Sequence, residues 1–123
     1  MACKKYGFGI VGCGTIAGWH AEAVKKLGEA ELIGVTDTFA AMGEAFAHKY
    51  DVQLFKSFDE MMQSKEIEIV CICTPSGMHA LMAEKAIMAG KHVIVEKPMA
   101  LNLEEADSII RACEASGVKM AVI

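Results

Sequence analysis

Short apolar runs alternate with helix-patterned segments along the whole chain, and that alternation sharply limits what it can fold into. Tyr6 to Val11, Glu31 to Thr36, Gln53 to Phe55, Ile67 to Cys73, Lys91 to Val95 and Val118 to Ile123 read as strands. The segments between them read as helices. Thr15 to Leu27 puts Ala17, Ala21 and Val24 on one face, with Gly28 as its stop. Phe39, Met42, Phe46 and Tyr50 recur at helical spacing. Ser57 with Glu60, and Asn102 with Glu105, form capping-box patterns. Ser76 is expected to cap a helix in which Met78, Leu81, Met82 and Ala89 share a face and which Gly90 ends. Ala106, Ile109, Ile110 and Cys113 line the last helix, and Gly117 stops it. Continuous apolar strands joined by helices imply a parallel sheet covered on both faces. The expected fold is therefore α/β, a doubly wound parallel six-stranded sheet with strand order 3-2-1-4-5-6.

Composition agrees with one ordered domain. The chain has 123 residues, 54% hydrophobic and 23% charged, which excludes a disordered chain. Its net charge of −4, without a basic stripe, disfavours electrostatic capture of nucleic acid or of an anionic membrane surface. Lys4 and Lys5 before an apolar run loosely resemble a signal peptide, but glycines break the run. Nothing approaches the ~18 uninterrupted apolar residues of a membrane helix. The five cysteines, Cys3, Cys13, Cys71, Cys73 and Cys113, are odd in number and scattered. They are expected to be reduced, buried thiols rather than a metal site, which points to a cytoplasmic location. Trp19 is expected to be a partly buried packing residue and His20 a packing or hydrogen-bonding one, while His48 and His92 have no assigned role.

The segment Gly12-Cys13-Gly14-Thr15-Ile16-Ala17 reads G-x-G-x-x-A and lies between a predicted strand and a predicted helix, the context such a loop needs. Gly12 allows the tight turn. Gly14 lets a pyrophosphate approach the backbone. Ala17 lets the helix lie close to the strand. The free N–H groups at the helix start, around Thr15 and Ile16, then face the phosphates. Asp37 follows the second strand, where this Rossmann-like fold meets the adenosine ribose. A carboxylate there accepts two hydroxyl hydrogen bonds and repels a 2′-phosphate, and neither Thr38 nor Phe39 offers a cation. NAD is therefore expected over NADP. Thr74-Pro75-Ser76-Gly77-Met78-His79 and Glu96-Lys97-Pro98 fall at the ends of the fourth and fifth strands, where ligands of doubly wound sheets bind. Lys97 there can polarise a substrate oxygen, whereas its structural alternative is a surface pair with Glu96.

The stretches GIVGCGTIAGWHAEAV, VTD and CTPSGMHALMAEKAIMAGKHVIVEKPMALNLEEAD, in that order, resemble the Gfo/Idh/MocA family of oxidoreductases. The resemblance implies that Gly12, Gly14 and Ala17 form the pyrophosphate loop and that Asp37 is the ribose acid. It implies that Thr74, Pro75 and His79 belong to a segment that lines the cofactor, with a purely structural role for His79 left open. Glu96 is implied near the nicotinamide end, and Lys97 near the reacting carbon as the catalytic residue; His20 matches a recurrent position. Family members have a second, larger half that binds substrate and supplies a proton-transfer histidine. Residues 1–123 are thus expected to be a dinucleotide-binding domain without that half. The expected partners are a dinucleotide and, in a full-length protein, a sugar, polyol or similar small-molecule substrate. A homo-oligomer stays open. The competing readings are a standalone NAD-sensing regulatory domain without catalysis and, less well matched, a methyltransferase.

Overall fold

The structure, a computed structural model, describes residues 4–123; Cys3 lies outside the described residues. Six parallel strands run in the order β3-β2-β1-β4-β5-β6, as the alternation of apolar and helical segments predicts. The strands are β1 (Tyr6–Val11), β2 (Ala30–Thr36), β3 (Gln53–Leu54), β4 (Ile69–Ile72), β5 (His92–Val95) and β6 (Met120–Val122). The helices are α1 (Thr15–Lys26), α2 (Ala40–Tyr50), α3 (Phe58–Met62), α4 (His79–Met88) and α5 (Leu103–Ser116), with a 3₁₀ turn over Ser76–Met78. The order reverses between β1 and β4, so the crossovers send α1 and α2 to one face and the remaining helices to the other.

Two cores result. Phe8, Ile10, Leu32, Val35, Cys71 and Cys73 meet Ala17, Ala21 and Val24 of α1 and Phe46, Ala47 and Tyr50 of α2. On the other face Val11, Val70, Ile72, Val93 and Val95 meet Met61 of α3, Ala83 and Ile87 of α4 and Ile109 of α5. Register aligns the strands at their carboxyl ends: Val11 pairs with Thr36 and with Ile72, Ile72 with Val95, and Val95 with Val122. That alignment requires an irregularity. β1 and β2 slip between Phe8 and Gly9, so that Phe8 faces Leu32 but Gly9 faces Gly34. Ile33 is the residue passed over.

Local chemistry sets most boundaries. Ser57 Oγ accepts from the Glu60 N–H at 3.0 Å and starts α3, and Asn102 Oδ1 accepts from the Glu105 N–H at 2.8 Å and starts α5. Gly90 and Gly117 have positive φ after α4 and α5, as expected of helix stops. Several expectations need correction. Gly28 does not stop α1, which ends at Lys26 with an extended Leu27 as its cap. Ser76 caps nothing; it opens the 3₁₀ turn, and α4 starts only at His79. The buried residues of α4 are His79, Ala80, Met82, Ala83, Ala86 and Ile87, so Met82 faces the core as expected while Leu81 and Ala89 are exposed. Ile110 is likewise exposed, because α5 presents to the sheet a narrow stripe centred on Ile109. Trp19 is 72% exposed rather than partly buried, since it lies about 200° around α1 from Ala17. Phe39 and Met42 are exposed too, while Phe46 and Tyr50 are buried. Phe39 and Met42 line a cleft at the strand ends instead of a core.

The burial pattern sets an order of stability effects. Replacing the fully buried Ile72 by alanine is expected to cost about 2–5 kcal/mol, and replacing Leu81 by alanine less than about 0.5 kcal/mol, as measured from urea unfolding midpoints.

Candidate functional site

The aligned strand ends gather one edge of residues: Gly12 after β1, Asp37 after β2, Cys73 and Thr74 after β4, and Glu96 after β5. A cleft of about 540 Å³ opens above β1, β2 and β4. Its walls include Gly12, Gly14, Thr15, Ile16, Asp37, Thr74 and Pro75.

The two loop glycines do different things. Gly12 has φ +88°, and a Cβ there would lie 2.7 Å from the Cys73 carbonyl group. It is a glycine because the turn and the approach to β4 leave no alternative. Gly14 has ordinary backbone angles, φ −83° and ψ −165°, and a Cβ there would meet no protein atom within 4 Å. Its missing side chain keeps open only the space of the cleft. Gly14 is also the N-cap of α1, and no side chain caps that helix. Unlike α3 and α5, α1 thus begins with main-chain donors that no cap side chain satisfies.

Asp37 is held from two sides. Its Oδ2 accepts from the Cys13 N–H at 2.8 Å and its Oδ1 from the Phe39 N–H at 2.8 Å. One carboxylate therefore ties the glycine loop to the β2–α2 turn, and each oxygen keeps a lone pair for a further donor. Across the cleft, Thr74 Oγ1 is buried without a hydrogen-bond partner among the described residues, an arrangement that stable interiors rarely leave. Ala17 is fully buried on the sheet-facing side of α1 and lines no part of the cleft. His79 is 2% exposed. Its ring nitrogens stand 2.7 Å from the carbonyl oxygens of Thr74 and Pro98, so it backs the wall rather than entering the cleft.

Glu96 and Lys97 stand outside this cleft. Glu96 lines a second, apolar hollow of about 430 Å³ beside α1, together with Trp19, His20 and Ile94. His20 Nε2–H donates to Glu96 Oε1 at 2.7 Å, with side-chain exposures of 12% and 15%. Glu96 is therefore not the surface partner of Lys97. Lys97 is exposed, and among the described residues its ammonium enters no ion pair. The Lys97–Pro98 peptide bond, which sequence alone leaves undecided, is cis.

Sequence reasoning missed the far wall of the cleft, formed by Phe39, Met42, Lys56, Ser57, Phe58 and Met78. Phe39 and Met42 carried the signal of a packing stripe. Lys56, just past β3, carried a usable one: it is a cation at a strand end. Cys13, Cys71 and Cys73 are buried free thiols on one face, while Cys113 is half-buried. Burial, with Asp37 nearby, pushes the Cys13 thiol from 9.0 up to about 12. Burial, with Glu96 nearby, pushes Cys71 up to about 12, and burial raises Cys73 as well.

A family profile described as "Oxidoreductase family, NAD-binding Rossmann fold" matches residues 6–123. An inositol 2-dehydrogenase of Rhizobium meliloti is 34% identical over 94% of the chain and 34% of its own length. A glucose-6-phosphate 3-dehydrogenase of Bacillus subtilis is 36% identical over 93% of the chain and 32% of its own length. Among solved structures, the WlbA dehydrogenase of Bordetella pertussis, in complex with NADH and UDP-GlcNAcA, superposes with a TM-score of 0.94. It is 34% identical over 98% of this chain and 37% of its own. A biliverdin reductase of Synechocystis, in complex with biliverdin and NADP+, gives 0.90 at 29% identity, over 94% of this chain and 37% of its own. The chain thus spans about a third of the length of the relatives it matches.

The glycines separate in a stability assay. Gly12→Ala is expected to cost at least about 2 kcal/mol, whereas Gly14→Ala should leave stability within about 1 kcal/mol of the parent or raise it. Calorimetry of the purified variants distinguishes the two. The thiols predict alkaline weakening. Their folded-state values lie above those of the unfolded chain, so their contribution is fully present below pH 9 and fades as pH rises from 9.0 towards about 12. Unfolding midpoints across that range should fall, and they should fall less in a Cys13→Ala, Cys71→Ala double variant.

Proposed function

Because this chain belongs to the Gfo/Idh/MocA oxidoreductase family, with its NAD-binding Rossmann fold, we propose that residues 1–123 are the dinucleotide-binding domain of an oxidoreductase acting on a sugar, polyol or similar hydroxyl or carbonyl compound. Hydride passes between a substrate carbon and a nicotinamide cofactor, which supplies the hydride chemistry when bound. The observation that carries the reading is the open space at Gly14, between the uncapped start of α1 and the Asp37 carboxylate.

In this reading the N–H groups around Gly14, Thr15 and Ile16 face the pyrophosphate, where the helix dipole favours negative charge. Gly12 and Ala17 act indirectly, by shaping the turn and letting α1 lie close to the sheet. Asp37 accepts the ribose hydroxyls on its remaining lone pairs. Thr74 and Pro75 line the path towards the nicotinamide, where Thr74 Oγ1 has a donor and acceptor to spare. His79 supports that wall from behind. Glu96 sets the strand end at the nicotinamide, and Lys97 presents its ammonium to the substrate oxygen, where positive charge stabilises developing alkoxide character. The names of the relatives support a sugar or polyol substrate. Their threefold greater length supports a substrate-binding remainder that carries the proton-transfer histidine. A standalone sensor draws no support from relatives that are dehydrogenases. Buried reduced thiols fit a cytoplasmic setting.

NAD is preferred over NADP. Two main-chain N–H groups pin Asp37, so its charge stays where a 2′-phosphate would lie. Lys56, which lines the same cleft, is the observation that favours NADP instead, and titration with both cofactors decides between them. NADH should bind at least about tenfold more tightly than NADPH, and Asp37→Ser should narrow the gap. Failure to bind either cofactor would end this reading. In the full-length protein Lys97→Met should leave NADH affinity within about twofold while lowering kcat by about a hundredfold or more.

A further inference from the structure

The tripeptide Glu96-Lys97-Pro98 is gripped from every side but one. Within the sheet plane, the Glu96 N–H donates to the Ile72 carbonyl at 3.1 Å and the Lys97 N–H to the Ile123 carbonyl at 3.0 Å. From the face covered by α1, His20 Nε2–H donates to Glu96 Oε1 at 2.7 Å. On the opposite face, His79 opens α4, and its Nδ1 stands 2.7 Å from the Pro98 carbonyl oxygen while Nε2 stands 2.7 Å from that of Thr74. The two helices pack on opposite cores, α1 with Phe8, Ile10 and Cys71 and α4 with Val70, Ile72 and Val95. The histidines therefore reach one short segment from opposite faces. Both contacts lie largely out of water, where a hydrogen bond is stronger and holds geometry better. The Lys97 ammonium enters no ion pair among the described residues.

We propose that His20 and His79 are positioning residues, a two-sided clamp that fixes the backbone from which Lys97 projects. The proposal rests on the reading of Lys97 as the residue that meets the substrate oxygen. His20 also links that segment to α1, the helix whose start faces the dinucleotide cleft, and His79 links it to Thr74 in the cleft wall. One pair of side chains thus couples the place where the cofactor lies to the place where the lysine acts. A reacting group misplaced by about an ångström loses much of its rate advantage, so the clamp contributes to turnover rather than to affinity.

The test compares the parent, His20→Phe, which keeps a ring but removes the donor, and His20→Gln, which restores an N–H near the Nε2 position. Backbone amide exchange is measured for the NADH-saturated full-length protein and turnover on a panel of polyols and sugars. In His20→Phe, exchange at Glu96 and Lys97 should rise about tenfold or more while β1 amides stay unchanged. The kcat should fall about tenfold or more with KM and NADH affinity within about twofold, and His20→Gln should recover most of both. His79→Asn, with a donor near the Nδ1 position, should protect the segment better than His79→Leu. If His79→Leu does not fold, the His20 series still decides. Unchanged exchange at Glu96 and Lys97, or exchange raised equally throughout the chain, overturns the clamp. A parent protein that binds no NADH overturns the proposed function instead, and the exchange pattern then tests the clamp alone.

Discussion

Val11 lies opposite Thr36 on one side and Ile72 on the other, and Ile72 lies opposite Val95. On that alignment the rest of the molecule depends. Parallel strands give up their ladder together at one edge, so the first irregular residue after each strand arrives at the same height. Gly12, Asp37, Cys73 and Glu96 are those residues. None is near another in sequence, and no loop had to search for the others. The hydrophobic cores on the two faces hold the alignment, because a slip of one residue would turn each buried strand side chain to the wrong face.

The edge is then made rigid with main-chain hydrogen bonds. Asp37 is bound by N–H groups from the glycine loop and from its own turn. His79 spans two carbonyl oxygens from two loops. Asp37 spends part of its capacity on the scaffold and His79 both ring nitrogens, while at this edge the Thr74 hydroxyl and the Lys97 ammonium have no hydrogen-bond or ion-pair partner, respectively, among the described residues. A site assembled this way loses little conformational entropy when a ligand arrives, because its walls are already ordered.

The strand–helix alternation was legible from apolar runs, glycine stops and capping pairs, and strand order followed from the rules of the doubly wound fold. Gly12, Gly14 and Asp37 were legible because their roles are local to a strand end. The pairing of His20 with Glu96 spans 76 positions, and no spacing reveals it. Trp19 and Leu81 were misjudged because apolar character says that a residue is suited to burial, not that the helix rotates it inward. Phe39 and Met42 failed in a different way: their spacing was helical, but they face the cleft, so the same pattern that elsewhere means core here builds a cleft wall. Lys56 was overlooked because only the neighbours of Asp37 in sequence were weighed for charge.

The slip between Phe8 and Gly9 has a further bearing. Leu32 and Val35 face the same core although three positions separate them, and Ile33 packs against the other core. β2 thus carries one residue more than its side-chain alternation requires, and that residue delivers the acid to the edge beside the glycine loop. The strand works as a ruler. Its length is as constrained as its composition: a one-residue deletion that regularised the pairing would draw Asp37 back by about 3.3 Å, away from the Cys13 N–H. Intolerance to insertion or deletion is therefore built into these seven residues, beside the demand for a glycine at Gly34, where a Cβ would meet Phe55 and the Gln53 backbone.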